Sequence, residues 1–400
     1  MSWKECDRVS EREEFVVLAS VEGANMSRLC DRFGVARKTG YKWLKRFREE
    51  GKAGLGDRSR RPLRMREPTS SEMESKVLSL RAEHPCWGGR KIRRRLQDLG
   101  EQQVPAASTI TAILHRHGQI SAEESLKRQE FSRFERSAAN ELWQMDFKGQ
   151  FKMTNARWCY PLTVLDDHSR YSLVLAACGN QQRATVRGHL QQAFQRYGLP
   201  EAMLMDNGSP WGVPHVRGGY TRLGVWLMDL DVAVLHGRPY HPQTQGKEER
   251  FHRTLSQEVL QGRSFVNLAD TQSRFDPWRA MYNQIRPHEA LKLDVPASRY
   301  RVSERSYDPR AGSQFDYNES FTVRRVREEG RIVWQGRYYF VGGAFGGKKV
   351  GVRPSRAEKE WDVYYRTFKI LTIHERSARA RGMVSPAVRC AHSRGDHAQE

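Results

Sequence analysis

The spacing of apolar side chains along the first 120 residues predicts two helical modules. In the first, apolar residues recur at helical spacing, stop at Gly34-Val35 and then resume, which is typical of two helices joined by a tight turn. Those apolar positions are Leu29, Phe33, Trp43, Leu44 and Phe47. Residues 1–53 are therefore predicted to form a helix-turn-helix with its aromatic stripe in the core. An ordinary basic helical hairpin has the same pattern and remains the alternative.

A second helical module is predicted over residues 71–120. Its apolar positions include Met73, Val77, Leu80, Ile110 and Leu114. The intervening residues 54–70 are rich in Gly, Pro and Arg and lack a hydrophobic period, which indicates an extended linker. Residues 121–140 are polar and charged, and we interpret them as a second linker.

From residue 141 the pattern changes to alternating apolar and polar positions, which predicts β-strands. Three strands come first, followed by a helix, a strand, a helix, a strand and a long helix. The predicted strands are 142–147, 158–165, 171–177, 202–205 and 232–235, and the clearest helices are 184–197 and 246–260. This order is that of an RNase H-like α/β domain, to which we assign residues 141–300.

Short alternating β segments in residues 301–375 predict a small basic β-barrel, and residues 376–400 have the composition of a disordered basic tail. The predicted fold class is therefore multidomain. It combines N-terminal all-α helix-turn-helix modules, a central α/β RNase H-like catalytic core and a C-terminal small β-barrel.

The charge of the chain favours a polyanionic partner. Lys and Arg number 68 against 47 Asp and Glu, which gives a formal net charge of +21. Such an excess favours nucleic acid over a membrane. No stretch approaches the roughly 18 apolar residues of a membrane span, and no signal core begins the chain, so we expect a cytoplasmic, nucleoid-associated protein. The six cysteines are scattered without metal-ligand spacing and indicate reduced structural thiols.

Basic residues in four places are predicted to contact DNA. Some lie where the second helix of the first module begins, some in the Arg-rich linker, some in the second module and some beside a pair of glutamates. They are Arg37, Lys38, Thr39, Lys42, Arg58, Arg60, Arg61, Arg90, Lys91, Lys247, Arg250 and Arg253. The alternative for each group is a solvated charged face that contacts nothing.

Three carboxylates predict a metal-dependent active site. Asp146 lies within the first strand, where a lone aspartate is disfavoured, and Asp206 ends the fourth strand before a Gly-containing turn. These strands are neighbours in the expected fold, and Glu249 on the long helix would complete the triad. Three carboxylates can hold two Mg²⁺ ions about 4 Å apart across a phosphate, with Mn²⁺ able to substitute. Taken singly, the alternatives are an N-cap aspartate and a solvated glutamate.

Four segments of the chain resemble bacterial insertion-sequence DDE transposases with a retroviral-integrase-like catalytic core. They are 141–149 (ELWQMDFKG), 206–211 (DNGSPW), 241–255 (HPQTQGKEERFHRTL) and 282–291 (YNQIRPHEAL). The resemblance covers about residues 20–370. It implies that Asp146, Asp206 and Glu249 are the catalytic metal ligands.

Two features depart from the family pattern. The 42 residues between Asp206 and Glu249 exceed the usual spacing, and the surplus lies in residues 212–222, which suggests a loop insertion. The second departure is the doubled Glu248-Glu249. Neighbouring helix positions point about 100° apart, so only one can serve the metals. Glu248 leans towards the apolar stripe, and the motif also selects Glu249.

Three further polar residues, Asp166, Asp167 and His168, are interpreted as turn residues without chemistry. The favoured function is a transposase that binds terminal inverted repeats, cleaves a DNA strand and transfers the freed 3′ end to target DNA. Its expected partners are double-stranded DNA and further copies of the chain, as a dimer or larger assembly. The alternatives are a non-catalytic DNA-binding protein that lost its activity and a plain RNase H-type nuclease.

Overall fold

The computed structural model describes residues 8–58, 69–120, 135–206, 211, 219–236, 246–310, 315–374 and 381–382. It divides into two compact units, Met1–Pro68 and Thr69–Glu400. The helices of the first unit are α1 (Arg8–Ala19), α2 (Met26–Arg32) and α3 (Arg37–Glu50), followed by a 3₁₀ turn over Gly51–Leu55. This order contains the predicted helix-turn-helix.

The α2–α3 turn depends on a glycine, and so does the packing of α3. Gly34 has a φ of +65°, a left-handed conformation that most side chains avoid. A Cβ on Gly40 would lie 2.7 Å from Cys30 Sγ and from the Phe15 ring, so only glycine lets α3 approach this closely. Trp43 is buried in the same core, as the sequence predicts.

The packed structure of this unit extends past residue 53, where the predicted linker begins. Leu55 is fully buried in its core. The buried Arg12 guanidinium donates to the Leu55 carbonyl at 2.8 Å and to Asp57 Oδ1 at 2.9 Å, and it stacks over the Trp43 ring. These contacts join residues far apart in the chain, so the composition of the segment could not predict them.

The second unit begins with a three-helix module. Its helices are α4 (Ser71–Glu83), α5 (Gly89–Asp98) and α6 (Ala107–Arg116). The Ser70 hydroxyl caps α4 by accepting from the backbone N–H of Met73 at 3.3 Å. A Cβ on Gly89 would lie 2.4 Å from the Ala107 carbonyl oxygen, so α5 and α6 pack at a distance that only glycine allows.

A mixed sheet with helices on both faces follows. Its strands are β1 (Trp143–Phe147), β2 (Phe151–Lys152), β3 (Trp158–Asp166), β4 (Ser172–Cys178), β5 (Ala202–Met205) and β6 (Ala233–His236). Its helices are α7 (Arg183–Tyr197), α8 (Arg222–Asp229), α9 (Gly246–Leu255) and α10 (Leu268–Gln284), and a π-helical turn over Ser256–Leu260 continues α9. The helices α7 and α8 bury their apolar residues with one side of the sheet, and α9 and α10 with the other.

The strand order places the two predicted aspartates on adjacent strands. β3 lies between β4 and β1 with antiparallel pairing, and β1, β5 and β6 then run parallel to one another. The predicted sequence of strands and helices is confirmed through α9. No element was predicted for the residues of α10, a helix that contains Pro277.

The C-terminal region differs from the predicted barrel. Its strands are β7 (Thr322–Arg325), β8 (Arg331–Trp334), β9 (Arg337–Phe340), β10 (Lys349–Pro354), β11 (Glu360–Tyr365), β12 (Phe368–His374) and β13 (Arg381–Gly382). In the described residues they form an open sheet, β13-β12-β11-β10-β7, and a separate β8–β9 hairpin. Its edge strands β7 and β13 do not pair with each other, so no barrel closes there. Alternation of apolar residues predicts strands but not closure.

Two residues of the predicted disordered tail belong to this sheet. The backbone of Arg381–Gly382 pairs with Thr372 and Leu371 of β12. Composition does not reveal so short a strand, and the other tail residues lie outside the described ranges. Among the helices that the structure describes, none is both long and apolar enough to cross a membrane.

Candidate active site and nucleic-acid interface

Asp146 and Asp206 lie at the ends of neighbouring parallel strands. Trp143 pairs with Met203 and Gln144 with Leu204 in the β1–β5 register. Continuing that register by two residues puts Asp146 level with Asp206. The carboxyl ends of adjacent strands in an α/β sheet are a common ligand position.

Donors from the protein orient both aspartates. The backbone N–H of Phe147 donates to Asp146 Oδ1 at 2.7 Å. The indole N–H of Trp211 donates to Asp206 Oδ1, and the buried Trp211 ring stacks on Phe147 with centroids 5.2 Å apart. His236 Nδ1 lies 3.0 Å from the carbonyl oxygen of Asp206. Asp206 is thus fixed through both its side chain and its backbone.

Glu249 brings a third negative charge to this edge of the sheet. It lies in the first turn of α9 with an exposed side chain. Burial, the charge of Asp206 and, less strongly, that of Glu249 together raise the pKa of Asp146 to about 6, although the Phe147 hydrogen bond opposes them. The three predicted carboxylates are therefore close enough to interact electrostatically.

The two adjacent glutamates of α9 occupy opposite environments. Glu248 is 1% exposed, as its predicted position near the apolar stripe requires, whereas Glu249 is exposed. Burial and the charge of Asp146 raise the pKa of Glu248 well above its ordinary value. Glu248 therefore faces the interior of the domain, and Glu249 faces the open side of the site.

Two residues that the sequence did not single out contact this site. Thr163 is buried opposite Asp146 in the β1–β3 register. His252 Nε2 lies 2.9 Å from Thr163 Oγ1, and His252 Nδ1 lies 4.0 Å from Asp146 Oδ2. Burial, with a smaller effect of Lys148, lowers the pKa of His252 to about 4, so this imidazole is neutral at pH 7. The only sequence signal was that His252 lies in the same motif as Glu249.

The chemistry of the site suits a hard divalent cation. In the part of the chain that the structure describes, no three acidic, His or Cys side chains are already arranged around a common metal position. The donor set nevertheless fits, because three carboxylates supply the oxygen ligands that Mg²⁺ prefers, and their mutual repulsion favours a bound cation. Asp146, Asp206 and Glu249 are the residues that could hold it.

The acidic residues at the end of β3 have a different environment. Asp166 accepts from the Asn140 N–H at 2.7 Å and from the Ser169 N–H and hydroxyl at 2.8 and 2.6 Å. Asp167 accepts from the Arg136 N–H and the Gln144 side chain and forms an ion pair with Lys247. His168 Nδ1 lies 2.9 Å from the Arg136 carbonyl oxygen. These contacts are structural, which agrees with the prediction of turn residues without chemistry.

The first unit exposes a basic helix end. Arg37, Lys38 and Lys42 are exposed in the first two turns of α3, whereas Thr39 is half-buried. Tyr41, 57% exposed, lies among them. This surface has the composition of a helix end that contacts DNA. In the linker, Arg58 forms an ion pair with Glu50, while Arg60 and Arg61 lie outside the described residues.

The two basic residues predicted to contact DNA in the second module have different surroundings. Arg90 of α5 is exposed, but Lys91 is half-buried, and burial together with Arg286 lowers its pKa to about 8. Arg94 donates to Asp294 at 3.1 Å. Met281 of α10 and Ile285, which follows that helix, pack against the core of this module. Lys91 therefore belongs to a packed interface with the catalytic core, a partner that a run of charges cannot reveal.

The helix after α5 was missed as a candidate reader of DNA. In a helix-turn-helix the second helix enters the groove, and here the second helix of the α5–α6 pair is α6. Its exposed residues are Ser108, Thr109, Ala112, His115 and Arg116. Most of these side chains are uncharged, and Arg116 alone does not form a basic run, so the sequence gave no charge signal here.

On α9, two of the three predicted basic contacts are exposed. Arg250 and Arg253 lie one turn apart with exposed side chains. Lys247 is 15% exposed and bonds with Asp167, also donating to its carbonyl oxygen at 3.2 Å. Lys247 thus fixes the start of α9 to the end of β3, and a role as a DNA contact does not fit that position.

Several parts of the chain match models of known families. Residues 136–242 and 230–296 match integrase core domain models, and residues 321–380 match the C-terminal domain of IS481 family transposases. Residues 11–62 match a helix-turn-helix domain and residues 39–114 a homeodomain-like domain. These matches support a bacterial insertion-sequence transposase with an integrase-like core.

Two bacterial proteins are similar to larger parts of this chain. The insertion element IS476 uncharacterized 39.2 kDa protein of Xanthomonas euvesicatoria is 26% identical over 63% of this chain and 72% of its own length. The insertion element IS407 uncharacterized 31.7 kDa protein of Burkholderia multivorans is 27% identical over 40% of this chain and 55% of its own.

Among solved structures, the chain is similar to one from a simian T-cell lymphotropic virus intasome in complex with PP2A regulatory subunit B56 gamma. The identity is 14%, and the match covers 72% of this chain and 96% of the viral chain. The TM-score of this match is 0.36.

Proposed function

We propose that this transposase binds the terminal inverted repeats of its mobile element, cleaves a DNA strand there and joins the freed 3′ end to target DNA. The proposal is supported by the register that puts Asp146 level with Asp206 in an integrase-like core, with Glu249 near enough for its charge to act on Asp146. Their proximity is expressed in the raised pKa of Asp146, to which both other carboxylates contribute.

The three carboxylates are proposed to hold two Mg²⁺ ions, with Mn²⁺ able to substitute. When bound, such ions supply charge stabilisation to the attacking and leaving oxygens of a phosphodiester. The chain's own residues set the geometry. Phe147 N–H holds Asp146, and the Trp211 indole holds Asp206. Their hydrogen bonds limit which oxygens of each carboxylate face the substrate.

Exposed basic side chains near the acidic residues support binding of a phosphate backbone. Arg250 and Arg253 follow Glu249 on the same helix and are both exposed. Their charges would hold DNA across the site and compensate for the repulsion between carboxylates and phosphates. Because water and then a DNA 3′-OH can act as nucleophiles, no covalent protein–DNA intermediate is required.

Recognition of the element ends is proposed to involve two separate surfaces. The exposed start of α3 offers Arg37, Lys38 and Lys42, and the second module offers the polar face of α6. Joining two ends to one target requires that both be held together, so a dimer or larger assembly of this chain is the proposed working form. Its DNA substrates would make the bacterial nucleoid its place of action.

The test uses purified wild type and Asp146→Asn with labelled duplexes that carry the element's own ends. End binding is measured without metal, and cleavage and joining are measured in Mg²⁺ or Mn²⁺. We expect both proteins to bind the ends and only wild type to nick and join them. The substitution keeps the size of the side chain, and it removes a negative charge from the site.

Binding of the ends by both proteins without cleavage by either would instead support a DNA-binding remnant. Equal, metal-dependent cleavage by both proteins would reject Asp146 as a metal ligand. Cleavage of any duplex irrespective of its ends, without joining, would support a plain nuclease.

A further inference from the structure

Thr163 of β3 contacts residues of both β1 and α9. Its side chain is fully buried, and Thr163 lies directly opposite Asp146 in the β1–β3 register. Thr163 Oγ1 is 3.0 Å from the carbonyl oxygen of Asp146 and 3.0 Å from Glu248 Oε2. It is also 2.9 Å from His252 Nε2. A single hydroxyl therefore joins the strand of one proposed ligand to the helix of another.

The hydrogen bonds of this contact can be assigned from its donors. A hydroxyl has one hydrogen, which Thr163 donates either to the Asp146 carbonyl or to the Glu248 carboxylate. Its lone pairs can accept from His252 when the neutral imidazole carries its proton on Nε2. Glu248 and His252 lie four positions apart on α9, so they contact Thr163 from successive turns of the same helical face.

The placement of Glu248 is costly for stability. A buried carboxylate is destabilising unless it is fully paired. Within the described residues, Glu248 Oε1 has no hydrogen-bond partner, and Oε2 lies 3.0 Å from Thr163 Oγ1 and 3.5 Å from His252 Nε2. An apolar side chain of similar size would fill this interior position at lower cost. A contribution to stability therefore does not account for the residue.

We propose that Thr163, Glu248 and His252 are positioning residues that fix the rotation of α9 and thereby set Glu249 relative to Asp146. Two contacts on one helical face restrict rotation about the helix axis more strongly than one. Glu249 projects about 100° from Glu248, so any rotation of α9 moves it across the site. The inference rests on the proposed function, because it assumes that Glu249 and Asp146 act together.

The test compares Thr163→Val, which keeps the shape but removes the hydroxyl, with Thr163→Ser, which keeps the hydroxyl. The measurements are kcat for end cleavage at saturating DNA, Kd for the ends and amide hydrogen exchange of residues 247–255 without metal. A misplacement of about 1 Å can cost about 10²-fold in rate. We expect Thr163→Val to lower kcat by about 10- to 100-fold and to speed exchange in α9, with Kd unchanged.

Thr163→Ser should recover both kcat and exchange to within about threefold of wild type, by the same geometric argument. A second pair of variants, His252→Leu and His252→Gln, makes the same comparison at the α9 partner of Thr163. This pair replaces the first if Thr163→Val does not fold. The inference is overturned if Thr163→Val has wild-type kcat and exchange. It is also overturned if Thr163→Ser is as impaired as Thr163→Val, since packing would then explain both.

Failure of the proposed function is a separate result. If wild type binds the ends but does not cleave them, the proposed function fails. Amide hydrogen exchange then still tests whether the Thr163 hydroxyl holds α9 in place, because this measurement needs neither metal nor DNA. Faster exchange in Thr163→Val than in Thr163→Ser supports the contact, and equal exchange rejects it.

Discussion

Two groups of acidic side chains in the same sheet differ in what surrounds their carboxylates. At the end of β3, Asp167 accepts from a backbone N–H at 2.8 Å and from Gln144 at 2.6 Å, and it forms an ion pair with Lys247. At the end of β1, Asp146 accepts one backbone hydrogen bond and lies beside the negative charges of Asp206 and Glu249. The first group is surrounded by donors, and the second by like charges.

This difference separates a structural carboxylate from a candidate ligand. Buried polar groups that serve the fold are satisfied by the protein itself, as Asp166 and Asp167 are. Carboxylates that repel one another are stable only if something else brings positive charge, and such arrangements cluster at functional sites. Both groups lie near strand ends, so position alone does not distinguish them.

The largest expected effect comes from the glutamate pair. Glu249→Gln should lower end cleavage by about 10³-fold or more, because loss of a metal ligand removes several kcal/mol of transition-state stabilisation. It should leave the melting temperature equal or higher, since it removes a charge from a repelling group. Cleavage rates and thermal unfolding measure the two effects.

Glu248→Gln is the matched control, one position away with the same change of chemistry. It should lose at most about tenfold in rate, because its amide oxygen still accepts from Thr163 and the geometry of α9 is kept. If Glu248→Gln is inactive and Glu249→Gln is active, the buried glutamate is the ligand and the assignment is reversed.

A substitution in the hydrogen-bonded group at the end of β3 should instead lower the free energy of unfolding. Asp167→Asn leaves the nearly buried Lys247 ammonium without its counter-charge, and breaking a buried pair costs about 3–5 kcal/mol. The folded fraction should still cleave DNA with the metal dependence of wild type. Urea unfolding and cleavage assays check this, with Glu72→Gln at an exposed ion pair as the control. Equal stability of Asp167→Asn and wild type would contradict the structural role.

Sequence patterns predicted the framework of this site well. Alternation and helical spacing located β1, β5 and α9, and the motif residues Asp146, Asp206 and Glu249 then fell at the edge shared by those elements. These are local signals, since each strand and helix carries its own period. The order of elements also limits the topology to a few arrangements.

Partners distant in the chain were not predictable in the same way. Lys247 and Lys91 were both predicted to contact DNA, but Lys247 pairs with Asp167 and Lys91 is half-buried near Arg286. Thr163 and His252 are 89 positions apart and meet only in the folded sheet. The charge of a side chain predicts that it needs a partner, and only the fold decides which partner it finds.

The pH dependence of stability gives a second test of the ion pair between Lys247 and Asp167. Burial, followed by the charge of Arg170, lowers the pKa of Lys247 to about 8 from an ordinary 10.5. Below pH 8 both the folded and unfolded chains carry the charge, and between pH 8 and 10.5 only the unfolded chain keeps it. Wild type should therefore gain up to about 3 kcal/mol of stability relative to Lys247→Met across that range. Urea unfolding at both pH values measures the difference, and a constant difference would contradict the buried cation.

The smallest expected effect comes from removing one of the hydrogen-bond donors to the carboxylates of Asp146 and Asp206. Trp211→Phe removes the indole N–H that donates to Asp206 but keeps an aromatic ring to stack on Phe147. Loss of a partner that orients a metal ligand typically costs 10–100-fold in metal affinity. We expect Trp211→Phe to require about tenfold more Mg²⁺ for half-maximal cleavage, with kcat at saturating Mg²⁺ close to wild type. Trp226→Phe on α8 is the control. An unchanged Mg²⁺ requirement would mean that the His236 contact and the backbone orient Asp206 without the indole, and the two acidic groups would then differ even more than their hydrogen bonds indicate.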